Sequence, residues 1–337
     1  LVSTSLIASD KLETNNYFFF FKHLLYIFLG LIVLIFFSFL NKKNLFRISI
    51  LLFFISLFFL FLVPIIGTEV KGSRRWLDLL FLPRFQPIEF LKPFTIIFIS
   101  IVLSSEKAFN IYYKYLLSFI VIIPISFLLM IQPDIGQTLL IFLSWLTLVF
   151  ISGISLMVFL TFFGISLSSL LYMVFFVPKF FYIKNRILSF LNPSTGTHNF
   201  QSEKAIDAIV SGGYFGKGIG EGTLKNRVPE AHTDYIVSVI SEEFGVVVII
   251  LLLILFLLFI YTVFKKIYLE ENEKTKLVLV GTITLIISQA LIHLGVNIRL
   301  FPTTGMTLPF LSYGGSSIIG VSIISGIILN LTKRKLS

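Results

Sequence analysis

Nine long apolar runs, separated by polar connectors, constrain the fold of this chain more than any other feature of its sequence. They lie at about 17–40, 47–66, 88–104, 113–131, 136–152, 156–177, 235–264, 276–298 and 308–331. A helix needs about 20 apolar residues to cross a bilayer. The chain is 56% hydrophobic and 13% charged, which is unlike a soluble domain. The runs therefore predict an all-α polytopic membrane protein, folded as a single integral membrane domain over residues 1–337.

Residues 1–9 resemble the end of one more hydrophobic segment, and the polar residues 10–16 follow them. We therefore expect the printed chain to begin inside its first membrane helix, which would bring the bundle to ten helices. A cleaved signal peptide is the alternative, although no basic n-region precedes the apolar residues.

Connectors rich in Lys and Arg predict which face is cytoplasmic. The basic connectors are residues 41–47, 105–114 and 265–276, together with the tail 333–335. The opposite face then holds residues 67–87, 132–135, 299–307 and a large extracytoplasmic loop, 178–234. This outer face also carries many basic residues, which indicates an anionic ligand there. The alternative is that these side chains only reach lipid phosphates from the membrane interface.

Composition excludes several classes of site. The chain has no cysteine, so it has neither a disulfide framework nor a thiolate that could bind metal or act as a nucleophile. Its net charge of +10 suits anionic lipid head groups or an anionic substrate. Nucleic acid is excluded as a partner, because the basic residues sit in connectors between membrane spans.

Ionisable residues crowd the start of one apolar run. Residues 227–245 hold Glu230, His232, Asp234, Glu242 and Glu243. Such groups are costly at the mouth of a membrane span, so they usually mark a site. One helical stripe contains Asp234, Ser238, Ser241, Glu242 and Gly245. We expect this stripe to face a cavity or a partner helix rather than lipid.

Residues 72–92 hold a second group of chemically useful side chains. Arg74 and Arg75 offer planar, multi-donor recognition of phosphate oxygens, and Trp76 offers a ring for the membrane interface or a sugar face. Glu89 and Lys92 have i, i+3 spacing on the first turns of a helix. We interpret them as a structural pair that anchors helix packing.

Three breaks between or before spans complete the pattern. Residues 132–136 form a tight break in which Asp134 is expected to cap the next helix. The glycine-rich residues 211–222 do not match a phosphate-binding P-loop, because Lys217 is followed by glycine and no strand precedes it. We expect a flexible lid or hairpin there, over the outer mouth. Residues 297–317 form an irregular start to the last span, which we expect to line the same cavity as Asp234.

The histidines give a weaker signal. His232 and Asp234 could coordinate a divalent cation, but two ligands do not make a site. His293 lies within an apolar run, and we interpret it as a hydrogen-bonded packing residue.

Taken in order along the chain, these segments resemble the SEDS family (shape, elongation, division and sporulation). The resemblance rests on Gly72, Arg75 and Trp76; Gln86, Pro87, Glu89 and Lys92; residues 132–136, 211–218 and 229–234; Glu242 and Glu243; and Leu308, Pro309 and residues 312–317. It is closest to the FtsW branch, with the RodA branch as the second choice. Thr303 and Thr304 depart from the Lys that this branch often carries there.

The resemblance implies ten membrane helices with both ends in the cytoplasm and a large outer loop between helices seven and eight. It also implies a multi-pass protein of the bacterial cytoplasmic membrane that polymerises lipid II into glycan strands at the outer face during cell division. Asp234 matches the family's functional aspartate and is the expected general base, with undecaprenyl diphosphate as the leaving group. The implied partners are a class B penicillin-binding protein and other divisome or elongasome membrane proteins.

Further candidate site residues come from the family resemblance or from the chemistry of their side chains. The candidate substrate-binding residues are Arg74, Arg75, Trp76, Lys217, Arg227, Glu230, His232, Ser312 and Tyr313. Glu230 and His232 could instead orient Asp234 or help to hold a cation. Mg²⁺ or Mn²⁺ is the candidate cofactor, because a divalent cation stabilises a leaving diphosphate, but its ligands stay unassigned.

Two other functions fit a polytopic bundle of this kind. A lipid II flippase would also have broken helices and internal carboxylates, although no inverted repeat is visible. A non-catalytic divisome scaffold would need its lipid-facing surfaces but not Asp234.

Overall fold

The computed structural model describes residues 17–70, 72–79, 82–105, 111–191, 198–224 and 228–333. Across these ranges the chain is predominantly helical, and the predicted all-α polytopic fold is confirmed. The expected remnant of a first membrane helix, residues 1–9, and the candidate residue Arg227 lie outside the described residues.

Eleven helices are described, and nine of them coincide with the nine predicted runs. They are α1 (Phe18–Phe39), α2 (Lys42–Ile66), α3 (Pro87–Leu103), α4 (Ile111–Ile131), α5 (Ile135–Ile151), α6 (Leu156–Phe176), α7 (Phe181–Leu191), α8 (His198–Gly212), α9 (Ile236–Leu269), α10 (Glu273–Asn297) and α11 (Gly315–Thr332). Within the described ranges, α1, α2, α4, α6, α9, α10 and α11 are long and apolar enough to cross a membrane, and α5 is a shorter apolar helix.

The last run differs most from its prediction, because α11 begins at Gly315 rather than near residue 308. Pro309 has no N–H to give to a helix, and Phe310 has a left-handed φ of 69°. Residues 308–314 are therefore irregular, as the proline and glycine content of that segment suggested.

Residues 67–87, expected to be a loop, form a small antiparallel sheet. Its strands are β1 (Thr68–Val70), β2 (Ser73–Leu79) and β3 (Leu82–Phe85), in the order β1-β2-β3. Gly72, with a φ of 76°, makes the tight turn between the first two strands. The pairing of β1 with β2 is irregular, because Thr68 lies opposite Trp76 and Glu69 lies opposite Arg74, which leaves Arg75 as an extra residue between the two pairs. Leu77 of β2 is buried, whereas Arg74 is exposed.

The Cα packing separates the chain into two compact units. The first unit comprises the described residues up to Leu29, Tyr182–Thr262 and Gln289–Ile318, and the second comprises Gly30–Phe181, Val263–Ser288 and the described residues from Ile319. The prediction of a single membrane domain, with 178–234 as its outer loop, stays a prediction.

Close packing and hydrogen bonds hold the second unit together. Phe53 stacks on Phe98 with ring centroids 4.4 Å apart, and the fully buried Trp145 donates to the Ser118 hydroxyl at 3.0 Å. A Cβ on Gly281 would meet the Ile96 side chain. Since lipid is as apolar as a protein core, such contacts rather than burial alone hold membrane helices together.

The core of the first unit lies at the start of α9. Ile236 and Val237 of α9 cluster with Ala290 of α10 and with Leu308. This core packs the beginning of α9 against the end of α10 and the irregular segment before α11, and it thereby positions the residues around Asp234.

Candidate functional site

Asp234 lies in a compact turn that immediately precedes α9. The carbonyl oxygen of Glu230 accepts hydrogen bonds from the N–H groups of Thr233, Asp234 and Tyr235 at 3.1, 3.1 and 3.4 Å. Glu230 itself has a φ of 53°, which is unusual for a residue with a side chain. The turn brings the partly buried Asp234 to the N-terminus of α9, where the helix dipole favours a negative charge.

Asn297, the last residue of α10, fixes this turn from outside. Its side-chain amide donates to the backbone carbonyl of Asp234 at 3.0 Å and accepts from the N–H of Ser238 at 3.3 Å. The first N–H groups of a helix have no partner within the helix. Asn297 therefore caps α9 from a different helix while it holds the backbone of Asp234.

The segment before α11 packs along the other side of the turn. The N–H of Tyr313 donates to the carbonyl of His232 at 2.9 Å, and the Ser312 hydroxyl donates to the carbonyl of Thr233 at 2.7 Å. The structure thus brings together Ser312, Tyr313, His232 and the Asp234 turn, which are far apart in sequence. Burial, with a smaller effect from Tyr26, raises the pKa of Tyr313 to about 12, so its phenol stays neutral at physiological pH.

Residues of α1 complete an aromatic cluster beside His232. The Phe19 ring lies 5.9 Å from His232 and 5.6 Å from Tyr313 between centroids. The buried His23 lies 5.6 Å from Tyr313, and its Nδ1 has no hydrogen-bond partner among the described residues. Sequence reasoning missed these contacts. The available signal was the polar pair Lys22 and His23 inside an apolar run.

A polar stripe on α10 holds both segments of the site. Gln289 donates to the Thr307 carbonyl at 2.9 Å, and His293 Nδ1 lies 2.7 Å from the Met306 carbonyl. With Asn297, these residues recur every four positions and so share one helical face. The interpretation of His293 as a hydrogen-bonded packing residue is confirmed. Gln289 and Asn297 were missed, although their spacing was visible in the sequence.

The glycine loop, residues 212–219, is not the flexible lid or hairpin that we expected. Gly245 interrupts α9 with a φ of 78° and a ψ of 179°, and the loop pairs with the backbone on both sides of this break. Lys217 and Gly218 donate to the carbonyls of Glu242 and Glu243 at 2.9 and 3.0 Å. On the other side of the break, Val246 and Val247 donate to the carbonyls of Gly213 and Tyr214 at 3.0 and 3.2 Å.

The glycines in this loop permit a close approach of two backbones rather than phosphate binding. A Cβ on Gly212 would collide with the Ser241 backbone, and a Cβ on Gly216 would collide with the Glu243 backbone. Clustered glycines are compatible both with a mobile loop and with such close packing. The hydrogen bonds between the loop and the two sides of the break in α9 indicate close packing.

The predicted inward stripe of α9 is confirmed up to the break, because Ser238, Ser241 and Glu242 are buried. Glu242 Oε1 accepts from the N–H of Leu224 at 2.8 Å and lies 3.8 Å from Lys217 Nζ. Glu242 therefore holds the segment after the glycine loop, and it partly neutralises Lys217, one of the predicted substrate-binding cations.

In the second unit, Arg74 and Arg75 of β2, both predicted to bind phosphate, have different partners. Arg75 donates to the carbonyl of Gln132 at 3.2 Å and to that of Pro133, and its guanidinium lies 3.7 Å from the Asp134 carboxylate. Arg74 is exposed and pairs with Glu69 at 3.4 Å. Arg75 therefore braces the turn before α5, whereas Arg74 pairs within the sheet with Glu69 of β1.

Asp134 caps α5 as predicted, since its carboxylate accepts from the N–H of Gln137 at 3.4 Å. Burial raises the pKa of Asp134, and the positive charge of Arg75 opposes that shift. Gln86 donates to the same carboxylate at 3.0 Å. The cap thus ties β2, the start of α3 and α5 together.

Glu89 and Lys92 form a buried ion pair at 2.8 Å, with side chains 4% and 2% exposed. Gln137 donates to the other oxygen of Glu89 at 2.6 Å. The spacing predicted this pairing, and the geometry favours the structural role that we assigned to it.

A divalent cation would need ligands that the protein alone does not supply here. No group of three or more His, Asp or Glu side chains with metal-site geometry occurs in the described part of the chain. Mg²⁺ often binds through one or two carboxylates together with substrate phosphates. The cofactor Mg²⁺ or Mn²⁺ stays a prediction.

Comparisons with known sequences agree on one family. The FtsW/RodA/SpoVE family profile, described as "cell cycle protein", matches residues 1–336. The chain is 34% identical over 306 residues to a probable peptidoglycan glycosyltransferase FtsW of Caulobacter vibrioides, covering 88% of this chain and 75% of that protein. It is 32% identical to a probable peptidoglycan glycosyltransferase FtsW of Buchnera aphidicola, covering 96% and 82%.

Solved structures show the same fold. A chain of a peptidoglycan synthase complex that coordinates polymerization and crosslinking superposes with a TM-score of 0.77 at 26% identity, covering 98% of this chain and 95% of that chain. The rod shape determining protein RodA of Thermus thermophilus superposes with a TM-score of 0.69 at 25% identity, covering 100% and 96%.

Proposed function

The chain belongs to the FtsW/RodA/SpoVE family, and from that premise we propose that it is a peptidoglycan glycosyltransferase of the bacterial cytoplasmic membrane that acts in cell division. Its substrate is lipid II, and a class B penicillin-binding protein is its partner. The names of the relatives support the reaction, and the likeness to a chain of a peptidoglycan synthase complex supports a synthase partner. Further divisome or elongasome membrane proteins are proposed partners from the family resemblance alone.

The observation that carries the proposed chemistry is the geometry of the Asp234 turn. The backbone of the turn that carries the Asp234 carboxylate is held from one side by Asn297 and from the other by Ser312 and Tyr313. Catalysis by a positioned group depends on such fixed geometry. A strained backbone at Glu230, with its φ of 53°, is also typical of functional sites.

Asp234 acts as the general base in this proposal. The acceptor sugar hydroxyl transfers its proton to the carboxylate of Asp234 as its oxygen attacks the anomeric carbon of the donor sugar. The bond from that carbon to the diphosphate oxygen breaks, and undecaprenyl diphosphate leaves with the electron pair. A single displacement of this kind inverts an α-linked donor into a β-linked glycan.

The remaining candidate residues bind and orient the two sugars and the diphosphate. His232 and Tyr313 present polar groups on an aromatic surface beside Asp234, and Glu230 anchors the turn that carries it. Developing negative charge on the diphosphate requires nearby cations. Lys217 and Arg227 are the proposed sources, whereas Arg74, Arg75 and Trp76 of the second unit stay predicted substrate-binding residues from the sequence alone.

The test is polymerisation of purified lipid II by the chain together with its cognate penicillin-binding partner, whose own active site is blocked. We expect glycan strands longer than the substrate on gels, formed only when this chain is present. Vesicles that report lipid II transport are measured in parallel. Transport without polymer would overturn the proposal in favour of a flippase, and neither activity would favour a non-catalytic scaffold.

A further inference from the structure

The glycine loop presents unusually exposed apolar side chains. Tyr214, Phe215 and Ile219 are 77%, 84% and 75% exposed. They project from a backbone that four hydrogen bonds fix to α9. Apolar side chains held out in this way indicate a surface that meets something other than water.

The position of the loop along α9 defines its depth. Beyond Gly245, residues 246–264 form an apolar run without a charged residue, and Lys265 and Lys266 follow it. At about 1.5 Å per residue this run spans nearly the ~30 Å of a hydrocarbon core. The basic end lies on the cytoplasmic side, so the break at Gly245 lies at the outer boundary of the membrane.

The exposed side chains continue the lipid-facing surface of that span. Tyr214 accepts a hydrogen bond from the N–H of Val247, and the side chains of Val247, Ile250 and Leu251 are themselves exposed and apolar. The backbone of the loop is therefore paired with α9 at the point where the exposed apolar side chains of the span begin.

The chemistry of the loop suits the interface between head groups and acyl chains. Aromatic rings with a polar end are enriched there, and a lysine stem can reach from that depth to lipid phosphates. Tyr214 supplies such a ring, whereas the ammonium of Lys217 lies 3.8 Å from the Glu242 carboxylate. The loop also satisfies its backbone groups by pairing with α9, which a segment at membrane depth requires.

We propose that the glycine loop is a membrane-embedded anchor whose Tyr214, Phe215 and Ile219 side chains insert into the outer leaflet at its interface. The occupant of this apolar surface is lipid. Because the loop is fixed to α9 on both sides of Gly245, the anchor holds the start of α9 at a constant depth; its consequence for a lipid-linked substrate rests on the proposed function.

Nitroxide labels at single cysteines test this depth, and the chain contains no native cysteine to remove. Phe215→Cys and Ile219→Cys are labelled in the full chain, reconstituted without partners in phosphatidylcholine and phosphatidylglycerol bilayers. Leu251→Cys is the lipid control, and Glu221→Cys, an exposed residue just beyond the loop, is the aqueous control. Collisions with oxygen and with a water-soluble nickel chelate are then compared.

We expect the ratio of oxygen to nickel collisions at both loop positions to lie above that of residue 221 and below that of residue 251. Nickel accessibility equal to that of residue 221 would overturn the proposal, because the loop would face water. Low accessibility to both reagents would overturn it as well, because protein would cover the loop. If a label at residue 215 or 219 disturbs the fold, a label at Tyr214→Cys gives the same collision ratio at another position of the loop.

Discussion

At the scale of single residues, the site depends on side chains that bind backbone rather than substrate. Asn297 holds Asp234 and Ser238, and Ser312 holds Thr233. Each of these side chains satisfies backbone groups of the turn, so the turn cannot shift without leaving buried polar groups unpaired. Such groups cost about 1–3 kcal/mol each, so these bonds hold the backbone of the turn in place.

Replacing Asn297 by Ala should therefore lower catalysis more than stability. We expect kcat for glycan polymerisation to fall about 10²-fold, since a displacement of about 1 Å at a reacting group can have that effect, while KM for lipid II stays close to the parent value. Steady-state kinetics with purified lipid II measure both constants.

Asn330→Ala is the matched control for this experiment. Asn330 is also a buried asparagine, and it donates to the carbonyls of Phe37, Ser38 and Leu40 in the second unit. Its replacement should lower thermal stability with little change in kcat. Equal losses of kcat in the two variants would show that Asn297 has no specific positioning role.

The Glu89–Lys92 pair allows a second residue-level prediction. Lys92→Met leaves the buried Glu89 carboxylate without its cation, and we expect a destabilisation of about 3–5 kcal/mol. Adding Glu89→Gln should recover most of that loss, because no unpaired charge remains. Thermal unfolding in detergent measures both variants, and a double variant as unstable as Lys92→Met would contradict the account.

At the scale of elements, the break in α9 shows how an interrupted membrane helix keeps its backbone satisfied. Interrupting a helix exposes carbonyl groups on one side of the break and N–H groups on the other. The glycine loop pairs with two groups of each kind around Gly245. The loop and the broken helix therefore form one structural element, although the paired residues lie 25 or 33 positions apart in the sequence.

Gly216→Ala should consequently destabilise the protein more than Gly220→Ala. Both glycines have a positive φ, at 77° and 84°, so both variants carry about 1–2 kcal/mol of backbone strain. Only at residue 216 does the new Cβ meet backbone, that of Glu243, which adds about 1–3 kcal/mol. Thermal unfolding of the two variants compares them directly. Equal stabilities would mean that the loop is not packed against α9 as described.

At the scale of the whole molecule, the helices were predictable because the length of each apolar run can be counted directly in the sequence. Each of the nine runs coincides with a helix, and only the start of α11 differs appreciably. The sheet was not predictable in the same way, because β1 and β3 span only three and four residues and short strands are defined by pairing rather than by local composition.

The candidate site was predictable only in part, for a related reason. Asp234 could be chosen from its position at the mouth of a span, but its supports come from other segments. Phe19 and Asn297 contact the turn across long sequence distances, and the residues next to them in sequence do not predict that contact. Arg74 and Arg75 were grouped because they are adjacent in sequence, yet Arg75 contacts the turn before α5 whereas Arg74 is exposed and pairs with Glu69.

The proposed role of Asp234 as the general base of a glycosyltransferase is tested by comparing two Asp→Asn variants. Asp234→Asn keeps the size of the side chain but removes its basicity, and Asp207→Asn removes a half-exposed carboxylate on α8 that pairs with Lys204. Both are assayed for lipid II polymerisation with the partner present and at equal folded amounts. We expect the first variant to lose about 10²–10⁴-fold in rate and the second to match the parent. Polymerisation by Asp234→Asn at the parent rate would contradict the account and would make Glu230 the next candidate for the base.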